Sequence, residues 1–291
     1  MTPAFWGLIA ALSWGSADFI ARFTGRAVGH HTALFGMLLF SAVVFTAVVI
    51  LNGQTLIWDE SALGWLLVAG LGAMVGTLLL YWGLARGPVS IVSPIAASYP
   101  LINILYAVFT GNNPSPLQWL AMAGIMGGVY IVARCAKNFQ DEEEFTAPEL
   151  QKTVMISLAA AIVFGVTIIA LQEAGRVYGD VQTVFMVRWI SLAAIIVVLL
   201  WRSKNDSGGG LSISRYWWFW IGFQGLLDGG AFLAIVIGGQ AAGGEIAAVV
   251  GSTFSAVTII LARWFLKEIM SLTQWAGVAL IIVGVGVLLA P

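Results

Sequence analysis

The sequence predicts an all-α integral membrane protein in which ten transmembrane helices form two inverted five-helix repeats. Three observations predict this fold. Of 291 residues, 60% are hydrophobic and only 9% are charged, against roughly 25% charged in an ordinary soluble domain. Apolar stretches of about 20 residues, long enough to cross the hydrocarbon core, recur along the whole chain. Short motifs in the first half also return in the same order in the second.

The spans are expected near residues 3–23, 31–51, 62–85, 88–109, 116–135, 151–173, 181–201, 215–240, 245–266 and 271–290. The first has no basic stretch before it and carries Asp18 and Arg22, so it reads as a span rather than a cleaved signal. The fourth holds Pro88, Pro94 and Pro100, each of which removes a backbone donor, and an irregular helix is expected there. Spans five and ten carry Gly124, Gly127, Gly128, Gly277, Gly284 and Gly286 and no internal charge. They are expected to act as scaffold or as the face of a homodimer. Trp82, and Trp217 to Trp220 beside Arg215, sit where interfacial aromatics anchor a helix. Residues 1–137 and 151–291 then form the two repeats, joined by an acidic linker, 138–150, that contains Asp141 to Glu144.

Composition excludes several function classes. The net charge is −1 without a basic stripe, so the electrostatic drive for nucleic-acid binding is missing. Cys135 is the single cysteine and no Cys/His metal spacing occurs; no metal or other cofactor is expected. No catalytic spacing or phosphate-cradling loop is present either, which leaves a membrane-embedded enzyme as the alternative from a different class.

Charge asymmetry predicts orientation. Arg22, Arg26, Arg86, Arg134, Lys137, Lys152, Arg202, Lys204, Arg215, Arg263 and Lys267 all lie at the ends of odd-numbered spans or in the loops after them. Arg176 lies on the other side, and Arg188 lies within a span. Because positive residues stay cytosolic, both termini are expected outside the cytosol, in a multi-pass protein of the plasma (inner) membrane.

The repeat is carried by particular residues. Gln118-Trp119 recurs as Gln274-Trp275, Gly128 as Gly284, Tyr99-Pro100 as Phe254-Ser255, and Trp14-Gly15 as Phe164-Gly165. An odd number of spans per half turns the second half over. Inverted repeats permit two conformations about a midplane site, and this favours a transporter.

Trp14-Gly15 early in the first helix, ten spans in two halves, and Trp264-Phe265-Leu266-Lys267-Glu268 before a Gln-Trp-x-Gly helix resemble the drug/metabolite transporter superfamily. The resemblance is to its EamA-like branch. The chain departs from that pattern at Asn113, where the first half would ordinarily carry an acidic residue. The resemblance implies outward movement of small organic metabolites, including amino acids and toxic compounds.

Polar residues within the spans are the candidates for transport, because a charge in hydrocarbon costs at least about 2.5 kcal/mol and needs a partner or a cavity. Asp18 and Arg22 lie one turn apart on the face that also carries Trp14. They read as a gate or as a structural pair. Arg188 and Asp228 are opposite charges deep in spans seven and eight. They either neutralise each other or hold the carboxylate and ammonium of an amino acid. Gln224 extends the polar face of Asp228; Tyr99, Asn103 and Tyr106 share a face of span four expected to point inward. Tyr81 and Ser252 complete the candidate substrate-binding set of Trp14, Tyr81, Tyr99, Asn103, Arg188, Gln224, Asp228 and Ser252. Asp18, Arg22 and Glu245 are the candidates for gating or coupling.

The expected function is therefore export of a small organic solute by alternating access, through a cavity lined by spans one to four and six to nine. Bulky or aromatic amino acids are the first expectation for substrate. Cationic or neutral drug-like compounds are the alternative if Arg188 is already neutralised. The expected partners are that solute and the lipid bilayer.

Overall fold

The computed structural model describes residues 1–86, 92, 95–111, 114–134, 147–205, 214–266 and 271–289. Residues 138–146 of the acidic linker, Pro88, Pro94, Asn113 and Glu268 lie outside the described residues.

The first helix, α1 (Pro3–Val28), starts under a Thr2 cap whose side chain accepts the Phe5 amide, with Pro3 in the first turn. It closes on Gly29, whose φ of 83° is open to a residue without Cβ, and α2 (His30–Leu51) begins at once. A loop and a short 3₁₀ turn (Glu60–Ala62) lead to α3 (Leu63–Arg86). The fourth span turns at residues 97–99 and then enters α4 (Pro100–Phe109) with proline at its first position. Next come α5 (Pro116–Arg134), α6 (Ala147–Tyr178), α7 (Asp180–Asn205) and α8 (Arg215–Gln240). The ninth span is broken in two, α9 (Gly244–Gly251) and α10 (Phe254–Leu266), and α11 (Leu272–Leu289) is last.

Six helices, α1, α2, α3, α6, α7 and α8, are long and apolar enough to cross a membrane; the fourth, fifth, ninth and tenth spans are shorter apolar helices. Several helices outrun their apolar stretches. α1 runs past residue 23 to Val28, α6 begins at Ala147, inside the stretch expected as linker, and α7 continues to Asn205. Polar helix ends stay hydrogen-bonded beyond the hydrocarbon, so apolarity marks the membrane and not the helix.

The two halves make reciprocal contacts. Gly15 packs against the Phe254 carbonyl and Val257, while Gly165 packs against the Tyr99 carbonyl and Ile102. Thr258 Oγ1 donates to the Gly15 carbonyl at 3.1 Å, and Asn103 Nδ2 donates to the Gly165 carbonyl at 3.1 Å. The same exchange holds between α5 and α11. Gly128 meets the Gly277 carbonyl and Ile281, and Gly284 meets the Ala121 carbonyl and Ile125. Helix pairs follow suit, with α1 on α8 answered by α6 on α3, and α2 on α8 by α7 on α3.

One element of the repeat is not among the motifs read from sequence. Gly25-Arg26-Ala27-Val28-Gly29 returns as Gly175-Arg176-Val177-Tyr178-Gly179. Gly179 has φ 74° and closes the α6–α7 hairpin as Gly29 closes α1–α2, each donating its amide to the glycine one turn earlier. In a bilayer, helices associate mainly by close packing of small residues rather than by the hydrophobic effect. Gly128 and Gly284 serve this purpose inside the chain, between α5 and α11.

Candidate functional site

A cavity of about 600 Å³, counted out to its open mouth, lies between the two halves. Its walls come from α1, α2, α3, the turn before α4, α6, α8 and α10. Among the described residues, spans five and ten contribute nothing to the wall, and neither does span seven. Rings dominate: Trp14, Tyr81, Tyr99, Phe164, Phe232 and Phe254 all face it. Trp14 meets Phe254 edge to face at 6.3 Å, and Tyr99 meets Phe164 in the same way at 6.5 Å. These are equivalent pairs in the two repeats, so the inverted symmetry runs through the cavity wall itself.

Two carboxylates share this wall, and their situations differ. Asp228 is engaged on both oxygens. Trp14 Nε1 donates to Oδ1 at 3.1 Å, and Arg188 Nη1 lies 2.8 Å from Oδ2. That second contact is an ion pair at close range without hydrogen-bond alignment. Arg188 Nη2 also donates to the Asp228 backbone carbonyl at 3.1 Å, and the guanidinium lies 4.0 Å over the Phe232 ring. The arginine is 1% exposed. It stands behind the cavity wall and neutralises the aspartate from that side. Asp18, by contrast, has no hydrogen bond or ion pair among the described residues, and its half-buried side chain faces the cavity.

A polar chain braces the other side. Thr24 Oγ1 donates to Gln224 Oε1 at 3.0 Å, and Gln224 Nε2 donates to the Tyr81 hydroxyl at 2.9 Å and approaches Met37 Sδ at 3.4 Å. Both ends of the buried amide are satisfied. The Tyr81 oxygen serves as acceptor, which leaves its O–H as a donor without an acceptor among the described residues.

The residues singled out from sequence thus separate into groups. Trp14, Asp18, Tyr81, Tyr99, Gln224 and Asp228 line the cavity together. Arg188 does not, because its guanidinium is held by Asp228 and Phe232. Ser252 is fully buried in the break between α9 and α10, where its hydroxyl donates to the Val249 carbonyl at 2.7 Å. Asn103 and Glu245 line a different pocket. Asp18 and Arg22 are not brought together: Arg22 is exposed and no ion pair joins the two. Arg22 lies one turn nearer the end of α1, where its side chain is exposed, while Asp18 faces the cavity.

Sequence reasoning missed Met37, Thr77, Phe164, Thr167 and Phe232 as wall residues. Phe164 was within reach, since it answers to Trp14 in the repeat. The others are apolar or hydroxyl residues in apolar helices and carry no local signal.

The sequence profile of the EamA-like transporter family matches residues 1–134 and again residues 151–290. The chain belongs to the EamA-like transporter family. An uncharacterized transporter of Archaeoglobus fulgidus is 24% identical over 293 aligned positions, covering 100% of this chain and 99% of the relative. An uncharacterized transporter of Synechocystis is 25% identical across 81% of this chain and 67% of its own length. A shorter uncharacterized protein of Methanocaldococcus jannaschii is 26% identical, with 96% of its length on 45% of this chain. That is the footprint of a single repeat. A crystal structure of another protein superposes with a TM-score of 0.79 over 98% of this chain and 95% of that one, at 18% identity, a likeness of fold. This is a multi-pass membrane transporter, and the aromatic cavity between its repeats is the candidate passage for a small solute.

Proposed function

We propose that this EamA-like transporter exports amphipathic organic cations, and that Asp18 is their charge partner in the aromatic cavity. One observation carries the reading: of the two carboxylates on the wall, Asp228 is already neutralised by Arg188, whereas Asp18 has no cation of its own among the described residues. A carboxylate in an apolar, ring-lined space is stabilised by a positive ligand, and the ring faces attract the same charge. The reading of amino acids as substrate needs Arg188 to hold the solute carboxylate. That role is disfavoured, because the arginine would first have to abandon two contacts to Asp228 and leave an uncompensated charge behind.

Direction follows from charge. Asp18 and Tyr81 lie toward the ends of α1 and α3, and Gln224 toward the start of α8. The Lys/Arg distribution assigns that end to the cytosol and both termini to the outside of a plasma (inner) membrane. Solute loading from this end and rocking of the two halves about the cavity supports export. No nucleotide-binding motif is present in the sequence, so a gradient supplies the energy.

The test is flux in proteoliposomes with labelled aromatic amines and aromatic amino acids side by side. Cation flux is expected, reduced at least about tenfold in Asp18→Asn, which corresponds to ~1.4 kcal/mol. Flux of amino acids but not amines would overturn the reading.

A further inference from the structure

Among the described residues, six side chains on the wall of the aromatic cavity carry an N–H or O–H: Trp14, Thr77, Tyr81, Tyr99, Thr167 and Gln224. Five of them are committed within the protein. Trp14 Nε1 donates to Asp228 Oδ1 at 3.1 Å, and the Tyr99 hydroxyl donates to the Ala248 carbonyl at 3.1 Å. Thr77 and Thr167 return their hydroxyls to their own helices, to the Ala73 carbonyl at 2.9 Å and the Val163 carbonyl at 2.7 Å. Gln224 Nε2 gives one hydrogen to Tyr81 at 2.9 Å and turns the other toward Met37 Sδ at 3.4 Å.

Tyr81 is the exception. Its oxygen already accepts from Gln224, and its own O–H has no acceptor among the described residues. Two acceptors stand near without taking it. No hydrogen bond joins Tyr81 to Asp18 on the same wall, or to His30, whose ring centre lies 6.0 Å from that of the tyrosine.

Gln224 sets this polarity, and its orientation follows from its neighbours. With the amide as placed, Thr24 donates to Oε1 at 3.0 Å and the Met37 sulfur faces an N–H. Reversing the amide would leave Thr24 only its longer contacts to the Ile20 and Ala21 carbonyls, at 3.4 Å, and would set the oxygen against the sulfur, acceptor against acceptor. Tyr81 therefore meets an N–H in the protein and keeps its own hydrogen to give. The residue is 5% exposed, and a buried donor without an acceptor is unfavourable until something supplies one.

We propose that Tyr81 is a specificity-determining donor, and that the preferred solute is an amphipathic monocation carrying one hydrogen-bond acceptor, such as an ether or carbonyl oxygen. Asp18 takes the charge, Tyr81 takes the acceptor, and Gln224 is the positioning residue that keeps the Tyr81 O–H free. The charge of this solute rests on the cation reading above; the acceptor does not. In a ring-lined space without a donor, an ether oxygen in place of a methylene loses its hydration for nothing and weakens binding. Opposite Tyr81 the lost hydration is replaced.

The test is equilibrium binding of phenoxyalkylammonium ions of increasing chain length, each beside the phenylalkylammonium ion in which a methylene replaces the oxygen. The purified protein is used, with its Tyr81→Phe and Asp18→Asn variants. At one chain length the wild type is expected to bind the ether at least as tightly as its methylene partner, against the order of hydrophobicity. Tyr81→Phe should weaken that ether about three- to tenfold and the methylene partner by less than about twofold, the range of one neutral hydrogen bond. Tyr81→Phe also takes the acceptor from Gln224 Nε2, so retained binding of the methylene series is the check that the cavity is intact; if the variant does not fold, the wild-type preference decides alone. A wild type that prefers the methylene compound at every length, or a folded Tyr81→Phe that weakens both series alike or neither, overturns the proposal. The expected ether preference with affinities unmoved in Asp18→Asn supports the Tyr81 donor and sinks the cation reading. Loss of both series in Asp18→Asn without any ether preference does the reverse, and absence of binding in both series sinks both.

Discussion

Arg188 holds Asp228 twice, through the carboxylate at 2.8 Å and through the backbone carbonyl at 3.1 Å, while stacking on Phe232. The pair is buried and its charges cancel. Removing one member leaves the other uncompensated, so Arg188→Ala or Asp228→Leu is expected to cost about 3–5 kcal/mol, whereas a double change to apolar residues of similar volume costs far less. Thermal unfolding in detergent checks this. Two single losses that simply add in the double variant would show that the pair is not coupled.

Gln224 links α8 to α1 and α3, because its oxygen accepts from Thr24 and its nitrogen donates to Tyr81. Gln224→Leu takes from the Tyr81 oxygen its donor and leaves the Thr24 hydroxyl only the longer contacts, at 3.4 Å, to the Ile20 and Ala21 carbonyls, at an expected ~1–3 kcal/mol. The same change frees the Tyr81 ring to reorient at the cavity wall. Cation affinity is therefore expected to shift along with melting temperature, and a change in stability alone would assign Gln224 to packing only.

The fold was legible because two signals survive at low resolution: apolar length, and the order of motifs such as Gln118-Trp119 and Gln274-Trp275. The site was less so. Span membership brought Trp14, Asp18, Tyr81, Tyr99, Gln224 and Asp228 to the right depth, but depth does not fix azimuth. Arg188 has the depth of a wall residue and lies behind the wall. Asn103 shares a face with Tyr99, yet one turn of rise carries it into another pocket. Phe232 and Thr167 have no signature at all, since an apolar helix offers many such positions and only packing decides which line a cavity.

The reciprocal contact between Gly128 and Gly284 predicts a symmetric response. Each glycine faces a backbone carbonyl of the other helix, with a built Cβ 2.7 Å from the Gly277 oxygen at Gly128 and 3.1 Å from the Ala121 oxygen at Gly284. Gly128→Leu and Gly284→Leu are both expected to destabilise by about 1–3 kcal/mol or more, through overpacking. Gly286, with nothing near its missing side chain, should accept leucine with little change in the same melting assay.

Inversion of the repeats is open to a direct test at Ala27 and Val177. Both are exposed, two residues before the glycines that close their helical hairpins, and they occupy equivalent places in Gly-Arg-x-x-Gly. If the halves are inverted, these twins emerge on opposite faces of the membrane. In the proposed orientation Ala27 faces the cytosol and Val177 the outside. In a Cys135→Ser background, Ala27→Cys is expected to react with an impermeant maleimide only after permeabilisation, and Val177→Cys in intact cells. Asn52→Cys, beyond the far end of the 22-residue α2 from Ala27, should behave like Val177→Cys. Labelling of both twins from one side would break the inverted arrangement. Opposite labelling with the sides exchanged would keep the repeat, reverse the orientation and turn the proposed export into uptake.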